Sequence, residues 1–130
     1  MKRQLLFLIA TAVGAGAADA RFAPLPLDGV TPIPTHCPLV IGFSSYGAGI
    51  DGPTMQAVQS LLNRDRAVRS VSRHPWGREG EVTLCANTRA RADSGRLFQA
   101  IRRLVPARPR GPVTIRTREG LTFEAPARRR

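Results

Sequence analysis

An α+β domain, with two helices on one face of an antiparallel sheet, is predicted by three observations. The stretch Leu39–Leu62 passes from a continuous apolar run through a glycine-rich turn into an apolar stripe at helical spacing. A second helical stripe recurs at Leu97, Ala100, Ile101, Leu104 and Val105. Between and after these stripes, Glu81–Asn87 and Val113–Arg118 alternate in polarity with the period of a strand.

The elements follow in chain order. Leu39–Phe43 is apolar except at Gly42, as expected of a strand in the middle of a sheet. Ser44–Gly52 is a turn. Asp51 is placed to cap a helix that starts near Pro53, where a missing amide costs no intrahelical bond. Met55, Val58, Leu61 and Leu62 give that helix one apolar side, and it should stop near Asn63-Arg64. Ala67–His74 is a less regular strand, with Val68 and Val71 breaking strict alternation. His74–Gly80 supplies turn chemistry through Pro75, Gly77 and Gly80. In Glu81–Asn87, Val82, Leu84 and Ala86 share one face, and Thr83 and Cys85 the other. The second helix is closed by Pro106, with Asp93 or Ser94 as its cap or with a start one turn earlier, at Thr88. Gly111-Pro112 opens a hairpin in which Glu119-Gly120 turns the chain into a short final strand, Leu121–Glu124.

The resulting order, β-α-β-β-α-β plus a short C-terminal strand, is the ferredoxin-like split-βαβ pattern. Right-handed crossovers place the third strand between the first and second, giving the sheet order 4-1-3-2. A three-stranded arrangement, without Ala67–His74 as a strand, is the alternative.

The same order resembles that of periplasmic SPOR glycan-binding domains and of RNA-recognition domains. The Gly-Ser-Phe-like strand motif of the first occurs only in scrambled form as Gly42-Phe43-Ser44, and the aromatic strands of the second are absent. No family assignment follows.

The segments outside residues 39–124 have their own compositions. Lys2 and Arg3, the apolar Leu5–Val13 and the small-x-small triplet Ala18-Asp19-Ala20 read as a cleaved export signal over residues 1–20. Its apolar run, about ten to thirteen residues, is too short to span a bilayer core of about 30 Å. No transmembrane segment is therefore expected after cleavage, and the expected location is periplasmic or secreted. Arg21–Pro38 holds prolines 24, 26, 32, 34 and 38, so an extended linker or strap is expected. Residues 125–130 form a basic tail.

Two cysteines remain, Cys37 and Cys85, and an even count in an exported chain favours a disulfide. The topology favours it too. Antiparallel pairing of the first and third strands sets the start of one beside the end of the other. A zinc site built from His36, Cys37, His74 and Cys85 lacks the short ligand spacings such sites use, so no metal is expected.

Charge bounds the partners. Removing Lys2, Arg3 and Asp19 from a formal net charge of +11 leaves +10, and every remaining basic side chain is Arg. Arginine in place of lysine fits GC-rich codon usage. The charge attracts anionic polymers whatever its origin. Arg102 and Arg103 on the second helix, Arg116 and Arg118 on the fourth strand, and Trp76 are the candidate polyanion contacts.

Gly47-Ala48-Gly49-Ile50-Asp51-Gly52 spells G-x-G-x-x-G, but Pro53 follows at once and no parallel βαβ unit is expected, which disfavours a dinucleotide. No cofactor is implied. Ser45, Gly47, Gly49 and Asp51 are instead a candidate anion or ligand loop. Ser44 and Ser45 end a strand, so a minor serine hydrolase is the enzymatic alternative, dependent on His36 or His74 as base. Glu79 and Glu81 are expected to be solvated turn residues.

These features favour a small exported, disulfide-bonded, non-enzymatic binding domain. Its expected partners are anionic cell-envelope material or another envelope protein, not nucleic acid. A SPOR-like glycan-binding module is a further alternative.

Overall fold

The computed structural model describes residues 36–128, so the signal segment and most of the proline-rich segment lie outside the described residues. Within them the order is β1 (Leu39–Phe43), α1 (Gly52–Arg64), β2 (Val68–Pro75), β3 (Val82–Thr88), α2 (Arg91–Leu104), β4 (Val113–Thr117) and β5 (Thr122–Ala125). The strands form one antiparallel sheet in the order β2-β3-β1-β4-β5. This is the split-βαβ order expected from the sequence, with β5 added at the β4 edge.

Pleating decides which side chains meet the helices. Leu39, Ile41 and Phe43 of β1 share a face with Val82, Leu84 and Ala86 of β3 and with Val113 and Ile115 of β4. That face packs on Val58 and Leu62 of α1 and on Leu97, Phe98 and Ile101 of α2, forming a single core. Each fully buried Leu, Ile or Phe contributes about 1.5–3 kcal/mol.

Local chemistry sets the element ends. Asp51 caps α1 by accepting the Thr54 amide at 3.1 Å. At α2 the cap position falls on Ala90, which has no side-chain acceptor. Asp93, inside the first turn, reaches back to the Ala90 amide at 3.2 Å instead. Neither Asp93 nor Ser94 is the cap residue, and the helix starts between the two sequence-based expectations. Pro75 lies within β2, which it can do because β2 is an edge strand. Ala125 closes β5 rather than opening a tail, and the Arg128 amide donates to Pro109 O at 2.9 Å.

The opposite face of the sheet carries Thr83 and Cys85 of β3, Val40 and Gly42 of β1, and Thr114 and Arg116 of β4. Cys37 reaches this face, where it is disulfide-bonded to Cys85 with Cα atoms 5.8 Å apart. The Arg118 amide donates to Pro38 O at 2.9 Å and its guanidinium to His36 O, so the start of the described chain is tied to β1's neighbours. No helix among the described residues is long and apolar enough to cross a membrane.

Candidate functional site

The glycine loop between β1 and α1 folds onto its own side chains. Ser45 Oγ accepts the amides of Gly47 at 3.1 Å and Gly49 at 2.9 Å, and its hydroxyl donates to the Glu79 carboxylate. Glu79 also accepts the Gly47 amide at 2.9 Å. Gly47 and Gly49 have φ of 95° and 79°, a region that disfavours any residue with a Cβ. An internal carboxylate therefore sits where an external anion would meet these amides.

Glu79 arrives there by strand register. Phe43 pairs with Val82, which sets the β2–β3 turn beside the residues leaving β1. Glu81, in turn, is buried, and its carboxylate accepts the Glu79 amide at 2.8 Å. The expectation that Glu79 and Glu81 are solvated turn residues is thus corrected for Glu81, which is buried, while Glu79 is exposed in the β2–β3 turn as expected but bonds the glycine loop.

Asp51 joins the loop to the far end of the chain. One carboxylate oxygen takes the Thr54 amide and the other the Arg110 amide at 2.8 Å. Burial alone would raise its pKa. The hydrogen bonds from Arg110 and Thr54, together with the Arg110 charge, outweigh that and hold it below the ordinary carboxylate value.

Beside Asp51 lies an open cavity of about 460 Å³, lined among others by Tyr46, Ala48, Pro53, Arg110 and Arg128. Tyr46 is 78% exposed. Of the four loop residues singled out from sequence, only Asp51 lines this cavity. Ser45, Gly47 and Gly49 are engaged with one another and with Glu79.

The predicted polyanion contacts are not brought together. The Arg102 guanidinium lies 5.1 Å from the centroid of the Phe123 ring, while Arg103 beside it is exposed. Arg116 and Arg118 belong to the β4 side. Trp76 is half-buried, donating its indole N–H to Thr83 Oγ1 at 3.1 Å and its amide to Glu81 O at 3.0 Å. The sequence places Arg128 in the basic tail and Tyr46 beside Ser45, and gives no reason to join either to Arg110; the three are far apart in the chain and share no motif.

No histidine hydrogen-bonds Ser44 or Ser45 among the described residues. His74 is buried on β2, with Nε2 2.9 Å from Ser72 Oγ, and its Nδ1 has no partner there. Both thiols are consumed by the disulfide, and no group of three or more metal-ligating side chains occurs among the described residues.

Neither family models, curated proteins nor solved structures give a match to this chain.

Proposed function

We propose that the protein is a small exported binding domain, non-enzymatic, that associates electrostatically with anionic cell-envelope material. The disulfide and the export-signal pattern support the compartment. One observation carries the rest: apart from Asp65 and Glu119, the carboxylates of the described residues are not paired with arginines, and four of them are spent on the protein's own backbone and hydroxyl groups. Asp51 holds two amides, Glu79 a hydroxyl and an amide, and Glu81 and Asp93 one amide each. Among the described residues only Arg91 and Arg96 lie within 4 Å of a carboxylate. The remaining guanidiniums stand as uncompensated charge at the surface, which draws polyanions over a range set by the salt concentration.

Cosedimentation with an envelope-membrane fraction tests this reading. At 0.1 M salt, where the Debye length is about 10 Å, the protein is expected in the pellet; at 1 M, where it is about 3 Å, in the supernatant. Absence from the pellet at 0.1 M, or undiminished pelleting at 1 M, contradicts it.

A further inference from the structure

We propose that the cavity between Tyr46, Asp51, Arg110 and Arg128 binds one acidic sugar unit, a pyranose bearing a carboxylate or a phosphate. The inference rests on the polyanion reading and adds to it a place and a chemical unit.

Size comes first. A cavity of about 460 Å³ lies within the roughly 300–1,000 Å³ used for small-molecule sites. Tyr46 then supplies an aromatic surface. Among the described residues it is the most exposed of the large hydrophobic side chains, and an amphipathic ring of this kind packs its face on the C–H face of a pyranose.

Charge is arranged in two parts. Arg110 and Arg128 are exposed, and neither lies within ion-pair distance of a carboxylate among the described residues. Their main chains are nonetheless fixed, Arg110 through its amide on Asp51 and Arg128 through its amide on Pro109 O. Such anchoring lowers the ordering cost of binding, and a guanidinium fork matches a carboxylate or phosphate. Asp51 is the acceptor half. Each of its oxygens already takes one amide, and an ionised carboxylate retains further lone pairs that suit hydroxyl donors. A bare anion would gain the arginines but meet Asp51. A sugar separates its hydroxyls from its acid group, so it satisfies both halves. The Thr54 amide at the start of α1 plays no part, because Asp51 already accepts it.

The test is an amide-shift titration of the full exported chain at 0.1 M salt with trigalacturonate, glucose 6-phosphate and neutral maltotriose. Saturable shifts at Ala48, Arg110 and Arg128 are expected with an acidic sugar and not with maltotriose. A response to only one acidic sugar supports the site and identifies the acid group. Tyr46→Ala and Arg110→Gln should each weaken binding about tenfold or more while the rest of the amide spectrum is retained. The pair Arg116→Gln and Arg118→Gln should change it less than about twofold. Equal binding of maltotriose, or equal loss from the β4 substitutions, overturns the proposal. If trigalacturonate binds salt-sensitively while the cavity amides stay still, the site fails and the polyanion reading stands. If no acidic sugar or envelope polymer binds at 0.1 M salt, both fail.

Discussion

Asp65, at the C-terminal end of α1, and Arg96, on α2, join the two helices through a two-point ion pair. The two guanidinium nitrogens lie 3.0 and 2.9 Å from the two carboxylate oxygens. The Arg96 hydrogen bonds lead, with help from the Ala67 amide, in holding the Asp65 carboxyl below its ordinary pKa. Asp51 is lowered as well. For a group depressed in the folded state, the stabilisation is complete above the unfolded carboxyl pKa of about 3.9 and is lost as pH falls through the folded value. Stability measured by urea unfolding should therefore hold near neutrality and decline below about pH 4. Asp65→Asn should flatten that decline, and a variant with an unchanged acid limb would contradict the assignment.

The disulfide closes a loop with a sequence separation of 48. In the chain-entropy model such a link stabilises by about 4 kcal/mol. Urea unfolding of the oxidised and fully reduced protein should differ by that order. Two free thiols by mass in the unreduced protein would refute the bond itself.

Gly111 and Gly52 make a matched pair. A Cβ on Gly111 would run into the backbone carbonyl of Ser44, where β1 leaves the sheet beside the start of β4. Gly111→Ala should cost about 1–3 kcal/mol, the range for forced overpacking. At Gly52 nothing lies within 4 Å of a Cβ and φ is not positive. Gly52→Ala should be neutral or stabilise by about 0.4–1 kcal/mol through the unfolded chain. Equal effects at the two positions would count against the described backbone.

Glu79 should order the glycine loop more than it stabilises the fold. Its removal takes one acceptor from the Ser45 hydroxyl and from the Gly47 amide, both within reach of water, so Glu79→Ala should cost roughly 1 kcal/mol. Hydrogen exchange at Gly47 and Gly49 should quicken well beyond that of β1. Protection unchanged at both amides would show that Glu79 holds neither Gly47 directly nor Gly49 through Ser45.

Much of the fold was legible because period and punctuation agreed. Leu39–Phe43 occupies the predicted strand, and the alternation of Val82, Leu84 and Ala86 against Thr83 and Cys85 matches the two faces of β3. Asp51 and Pro53 announced the start of α1, and the strand order then brought Cys37 to Cys85. The start of α2 was less legible, since Ala90 offers no capping chemistry to read. The loop was half legible. Its glycines showed a turn, but Glu79 enters it through the pairing of Phe43 with Val82, a long-range fact with no local signature. Arg110 was unreadable for the same reason. Its link to Asp51 spans 59 residues and is made by a backbone amide, which leaves no mark on residue type.

The most direct measurement of the central claim is affinity for vesicles carrying lipopolysaccharide, against zwitterionic vesicles, across salt from about 0.1 to 1 M. The account predicts binding to the anionic vesicles only, falling steadily as salt shortens the screening length. Equal binding to both vesicle types, or an affinity that does not move with salt, would contradict it.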